Sequence, residues 1–138
     1  MEYANKYGLP ILIHTWGNND PHNGPRHIEK AAAKYKNARF IMGHSSPGEL
    51  DIAIEVAKKY ENTYLDLCDI HRHICDIHRH SGIVDKMVNA VGAERITFGT
   101  DIPWYDPGYG IGSVLFSHIS DGDKYKILYR NAKGLLGR

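Results

Sequence analysis

Three residues with metal-binding side chains stand at the downstream ends of short apolar runs: His14 after Leu9-Pro-Ile-Leu-Ile, His44 after Phe40-Ile-Met-Gly, and Asp101 after Ile96-Thr-Phe-Gly-Thr. A short apolar run bounded by polar or glycine-rich sequence reads as a buried strand. Each of these runs is followed by a helical pattern, so each polar residue falls where a strand gives way to a loop. In a parallel β/α fold those loops all lie at one end of the sheet, which is where such folds assemble metal and catalytic sites. A lone strand-end histidine is ordinarily a hydrogen-bonded polar residue. Three ligand-type side chains at equivalent strand ends point to a site.

Read for period, the rest of the chain alternates in the same way. Residues 9–14 read as a strand, and 25–36 as a helix with Pro25 at its start and Ile28, Ala32 and Tyr35 on one stripe. A strand at 39–44 precedes a helix at 48–60 carrying Leu50, Ile54 and Ala57, and a strand at 63–67 follows. A helix at 82–91 has Ile83, Val84, Met87, Val88 and Val91 on one face, and a strand at 95–100 leads into a Gly/Pro-rich loop at 102–112. A last helical region, about 111–136, breaks near Ser120-Asp-Gly. The order β-α-β-α-β-α-β-α predicts an α/β fold, a single domain over 1–138 with a parallel sheet and right-handed crossovers.

Four βα units are half of a TIM barrel, which takes roughly 250 residues when complete. A four-strand arc leaves an apolar inner face and two strand edges uncovered, and both are liabilities for a chain in water. The chain therefore pairs with a second copy, most simply as a homodimer, or relaxes into an open α/β sandwich, or is one half of a longer barrel.

Composition excludes several partners. With 17 basic against 16 acidic residues the formal charge is +1, so neither nucleic acid nor an anionic membrane is expected as a partner. Met1-Glu-Tyr-Ala-Asn-Lys has no basic segment followed by an apolar one, and no apolar run reaches the length of a span, so a soluble, cytoplasmic protein is expected. Cys68 and Cys75 fall inside a local repeat rather than a spaced framework, which fits a reducing compartment.

At the level of motifs, Gly8-Leu-Pro-Ile-Leu-Ile-His14, Phe40-Ile-Met-Gly-His-Ser45, Tyr64-Leu-Asp-Leu67, the run from Val91 through Gly-Ala-Glu-Arg-Ile-Thr-Phe-Gly-Thr-Asp-Ile to Pro103, and Lys126-Ile-Leu-Tyr-Arg-Asn-Ala132 follow one another in order. Together they resemble the C-terminal half of the amidohydrolase-related family of metal-dependent TIM-barrel hydrolases and decarboxylases. The most specific piece is Gly-Ala-Glu-Arg-Ile with Phe-Gly-Thr-Asp-Ile-Pro. The resemblance implies strands five to eight of that barrel. It implies His14 as a fifth-strand metal ligand, His44 as a sixth-strand histidine that binds metal or activates water, and Asp101 as the eighth-strand carboxylate. The family's first-strand His-x-His has no counterpart ahead of residues 1–7, which read as the end of a fourth βα unit. Half of the metal shell is then expected to be missing.

The chemistry these residues offer is definite. A divalent ion, zinc above all, takes neutral imidazole nitrogen and carboxylate oxygen, and with an open position it acidifies water. His44 and Asp101 are the expected catalytic residues: His44 can polarise a carbonyl, and Asp101 can orient water or move its proton to a leaving group. Trp16 and Trp104, just past strand ends, could wall a pocket for a small-molecule substrate or be plain packing. Gly108 to Gly112 lacks the Lys-Ser/Thr continuation of a phosphate loop, Asp106-Pro-Gly-Tyr reads as a turn, and His22, His27 and His118 read as surface residues. Two functional classes stay open: part of a metal-dependent hydrolase or decarboxylase acting on a small carboxylate, amide or lactone, or a catalytically silent half-barrel, truncated or engineered, that self-associates.

One feature stands apart. Cys68-Asp-Ile-His-Arg-His73 recurs as Cys75-Asp-Ile-His-Arg-His80, an identical string seven residues on, which reads as a recent or engineered tandem duplication spanning 68–80. A seven-residue insertion would flip the faces of a strand but turns a helix by only about 20°, so the insert is expected to be helix or loop. Ile70, Ile74 and Ile77 would extend the stripe of the following helix backwards. The four histidines, His71, His73, His78 and His80, are either solvated or a second metal site.

Overall fold

The computed structural model describes residues 1–17, 22–69 and 82–137. The order is α1 (Glu2–Tyr7), β1 (Pro10–His14), α2 (Pro25–Lys34), β2 (Arg39–Gly43), α3 (Leu50–Lys59), β3 (Thr63–Asp66), α4 (Ile83–Val91), β4 (Ile96–Thr97) and α5 (Pro107–Leu115). It ends with α6 (Asp121–Tyr125), which runs through a π-helical stretch, Lys126–Arg130, into α7 (Asn131–Leu135). The sheet is parallel throughout in the order β1-β2-β3-β4, so β1 and β4 are its edges.

Strand alternation divides the sheet into two unlike faces. Phe40, Met42, Leu65 and Ile96 are fully buried and form the core with Ile28 and Ala32 of α2, Ala53, Val56 and Ala57 of α3, and Val84 and Met87 of α4. Between them, Leu12, Ile41, Tyr64 and Thr97 point to the opposite, concave side, where Leu12 remains 68% exposed. That concave face, covered on one flank by Ala132, Leu135 and Leu136, is an open cleft of about 400 Å³.

The strand ends remote from the site are fixed by two long polar side chains. Asn62 Nδ2 donates to the carbonyls of Tyr35 and Ala38, each at 3.0 Å, and of Ala32 at 3.4 Å. The Arg95 guanidinium donates to the carbonyls of Ala57, Tyr60 and Thr63 and lies 5.2 Å from the Tyr64 ring centre. These bonds brace the αβ corners through their main-chain carbonyls.

Two boundaries differ from the sequence reading. The strand expected over 95–100 pairs only at Ile96–Thr97, because the chain turns away at Gly99 to pass over Asp66 and Cys68. The segment read as a loop over 102–112 is helical from Pro107: Asp106 caps it by accepting the Gly108 N–H at 2.6 Å, and Pro107 occupies the first helical position. Its glycines let the helix rest on the core, since a Cβ on Gly110 would meet the Phe98 ring at 3.2 Å. The break near Ser120 is present, with Ser120 capping α6 through the Asp123 N–H at 3.1 Å. Cys75, the isoleucines 70, 74 and 77, and the histidines 71, 73, 78 and 80 lie outside the described residues. Among the described residues, no helix is long and apolar enough to cross a membrane.

Candidate metal site at the strand ends

The turn after β2 is tightly constrained. His44, Ser45 and Ser46 all take left-handed backbone angles, with φ of 65°, 52° and 52°, a region that disfavours residues bearing a Cβ. The surroundings hold them there. Ser45 N–H donates to Met42 O at 2.9 Å and Ser45 Oγ to Asp66 O at 2.7 Å. Thr15 Oγ1 donates to Gly43 O at 2.7 Å and accepts the Ser46 N–H at 3.1 Å, tying the β1 and β2 tips together. His44 Nδ1 lies 3.1 Å from the Cys68 carbonyl. A carbonyl can only accept, so this bond puts the proton on Nδ1 and leaves the Nε2 lone pair for a ligand.

The tip of β3 contributes two residues. The Asp66 carboxylate is buried and accepts the main-chain N–H of His44 at 3.4 Å and of Cys68 at 3.3 Å, and the Thr97 hydroxyl at 3.3 Å. Burial pushes its pKa up to about 6, against the pull of those donors. Burial also pushes the Cys68 thiol up to about 12, with the negative charges of Asp66, Asp101 and Asp69 and a hydrogen bond to Asp101 adding to the effect. Beyond β4, Asp101 takes φ 56°, and its carbonyl accepts the Trp104 N–H at 2.9 Å across a turn containing a cis Ile102–Pro103 bond. Gly99 makes room: a Cβ there would meet Asp66 Oδ1 and Cys68 Cβ, each at 3.1 Å.

A ring nitrogen of His44, Cys68 Sγ and an Asp101 carboxylate oxygen lie within 4.8 Å of one another. His14 is exposed at the β1 tip beside this group, its ring centre 4.8 Å from that of His44 in an edge-on arrangement. Trp16 stacks on His14 at 5.6 Å and meets His44 edge-on at 5.7 Å. Of the residues singled out in the sequence, His44 and Asp101 share one donor cluster, His14 and Trp16 border it through His44, and Trp104 stands 78% exposed on the following turn.

The donor set fits a divalent ion. Imidazole nitrogen, thiol sulfur and carboxylate oxygen are the three donors zinc accepts, and in a closed tetrahedral shell they would lie roughly 3.3–3.7 Å apart. Convergence by about 1 Å, within the range of side-chain rotation, brings the present spread to that value. Sequence reading missed Asp66 and Cys68. The carboxylate interrupting the apolar run Tyr64-Leu-Asp-Leu67 was the available signal for the first. The second was hidden by its place at the head of the repeat.

The amidohydrolase family model matches residues 1–138, the whole chain. The chain belongs to the amidohydrolase family. No curated protein matches it. Among solved structures, this amidohydrolase chain is similar to an uncharacterized TIM-barrel protein from Bordetella bronchiseptica, with 24% identity and a TM-score of 0.80, covering 99% of this chain and 48% of that one. An amidohydrolase from Burkholderia multivorans with bound zinc aligns at 12% identity and TM-score 0.75, covering 98% and 55% of the two chains. A dihydroxybenzoic acid decarboxylase from Polaromonas sp. JS666, solved with manganese and the inhibitor 2-nitroresorcinol, aligns at 19% identity and TM-score 0.69, covering 99% and 53%. At these identities the likeness establishes the fold: the four parallel strands are half of a TIM barrel. The chain spans about half the length of the structures it matches.

Proposed function

We propose that this amidohydrolase-family chain carries the strand-five-to-eight half of a divalent-metal-dependent hydrolase or decarboxylase site, with zinc as the metal and a small carboxylate, amide or lactone as substrate. The observation that carries this reading is the convergence of the His44 and Asp101 donors, with Cys68, at the loop end of a half-barrel. His14, beside His44, is the further ligand on the open side. The zinc and manganese bound by the Burkholderia and Polaromonas proteins support a divalent metal in this fold.

An ion held by these residues would supply Lewis acidity and an acidified water. The residues themselves would do the rest. The Nδ1–H bond to the Cys68 carbonyl would keep the His44 ring in one tautomer, with Nε2 as its acceptor nitrogen. Asp101 accepts a proton from water, then returns it to a leaving nitrogen or oxygen in hydrolysis, or to the carbon that loses carbon dioxide in decarboxylation. Trp16, packed against both histidines, excludes water on one side and offers an aromatic face to substrate, while Trp104 flanks the entrance after Asp101.

A second reading, a silent half-barrel that self-associates, is favoured by the exposed Leu12 on the concave face. Zinc titration of the intact chain against His44→Ala and Asp101→Ala separates the two, followed by turnover assays on small carboxylates, amides and lactones. Weak, easily chelated binding that each substitution lowers by about tenfold or more is expected. A chain that binds no zinc at millimolar concentration leaves only the silent reading.

A further inference from the structure

We infer that Cys68 is itself a metal ligand, so that this chain builds a three-donor shell of imidazole, thiolate and carboxylate from His44, Cys68 and Asp101. The inference rests on the metal reading above and names a ligand outside the three residues assigned from the sequence. Three features of the structure carry it. Cys68 Sγ is one of the three converging donor atoms, whereas His14 stands outside that group. Cys68 is also anchored at both main-chain groups: its N–H donates to Asp66 and its carbonyl accepts from His44, so the residue that orients the imidazole places its own sulfur beside it. Finally, Gly99 lets Cys68 approach closely, since a Cβ at position 99 would stand 3.1 Å from Cys68 Cβ. Among the described residues no other cluster of three ligating side chains comes together in this way.

The chemistry balances. In the metal-free chain the Cys68 sulfur lies within 4.8 Å of an Asp101 carboxylate oxygen. On binding, the sulfur–hydrogen bond is replaced by a sulfur–metal bond, one proton passes to solvent, and the Asp101 carboxylate supplies the third donor. A thiolate makes the site softer than one of histidine and carboxylate alone, which favours zinc or cobalt over manganese or magnesium.

The test uses the intact, reduced, metal-free chain titrated with cobalt(II), whose thiolate complexes show a near-ultraviolet sulfur-to-cobalt charge-transfer band. The expected result is that band growing to one equivalent, retained in Cys75→Ser and lost in Cys68→Ser and Cys68→Ala. Zinc affinity should fall about tenfold or more in the two Cys68 variants. Circular dichroism establishes that each variant is folded, and the wild-type spectrum with Cys75→Ser decides the question even if the Cys68 variants are not. Cobalt binding without the band, or a band lost only in Cys75→Ser, overturns the assignment of Cys68 while leaving a metal site in place. No cobalt or zinc binding by the wild-type chain overturns the metal reading and this inference together.

Discussion

The Asp66 carboxylate accepts the main-chain N–H of His44 at 3.4 Å, and so a buried acid at the tip of β3 holds a left-handed turn at the tip of β2. The same carboxylate takes the Cys68 N–H and the Thr97 hydroxyl. One side chain thus ties together three neighbouring strands at the level of the donor cluster. Its hydrogen-bond partners are main-chain and hydroxyl dipoles, the nearby His44 ring adds a weaker electrostatic pull, and its cost of burial is only partly offset.

Removing that carboxylate takes away the acceptor of the His44 and Cys68 N–H groups, while the Thr97 hydroxyl keeps the Leu65 carbonyl at 3.3 Å. Asp66→Ala should destabilise the chain by about 2–4 kcal/mol, since each unsatisfied buried group costs about 1–3 kcal/mol and the turn relaxes to recover part of it. Asp66→Asn keeps an acceptor oxygen of the same shape and should cost much less at neutral pH. Urea denaturation of both variants is the measurement; equal losses would show that the charge, and not the hydrogen bonding, is what the turn needs.

The raised pKa gives the metal-free chain a pH dependence of defined sign. An acid pushed up to about 6 in the folded chain, from the ordinary range near 4, holds its proton more tightly when folded. Below about pH 4 both states are protonated and no penalty exists. Between about 4 and about 6 the unfolded chain ionises first, so the contribution of Asp66 to stability falls as pH rises, and above that window the full penalty, on the order of 3 kcal/mol, persists. Denaturation midpoints of the chelator-treated wild type against Asp66→Asn should diverge across this window, with the variant lacking the fall. Parallel profiles would place the Asp66 pKa back in the ordinary range.

Ser46 is fully buried at φ 52°, and its hydroxyl finds no hydrogen-bond partner among the described residues. Ser46→Gly removes an unsatisfied hydroxyl and suits the left-handed angle, gains that outweigh the roughly 1 kcal/mol of added unfolded-state freedom. A net stabilisation of about 1 kcal/mol is expected from chemical denaturation. Ser46→Ala, which removes the hydroxyl but keeps the Cβ, should gain less. A destabilised glycine variant would mean that the hydroxyl is engaged.

What the sequence made legible, and what it hid, follow from the same physics. Buried parallel strands such as Phe40-Ile-Met and the helices between them are written as local periodicity, so their order and the parallel sheet could be read directly. His44 and Asp101 were legible because a ligand-type side chain at the end of an apolar run breaks the local pattern where a βα loop begins. Cys68 and Asp66 were not, because their roles depend on how close Gly99 lets two strand tips come, which is a tertiary distance with no local pattern. The helix from Pro107 was hidden for a related reason. Its glycines read as loop punctuation, but packing against Phe98 makes small residues an advantage there, and Asp106 and Pro107 supply the start that composition alone did not reveal.

The concave face leads to a prediction about assembly. Leu12 is 68% exposed at the centre of edge strand β1, Leu136 is 64% exposed across the cleft, and Ile102 is 69% exposed beyond β4. In a whole barrel this face would meet the other half of the fold; for the chain by itself, the surface with matching curvature and matching open edges is a second copy. Light scattering of the purified chain at micromolar concentration should therefore give twice the monomer mass. Leu12→Glu should return it to the monomer mass with the helix-side core unchanged, because Leu12 faces away from Phe40 and Met42. A wild-type chain that is monomeric and cooperatively folded at that concentration would show that the concave face tolerates water without a partner.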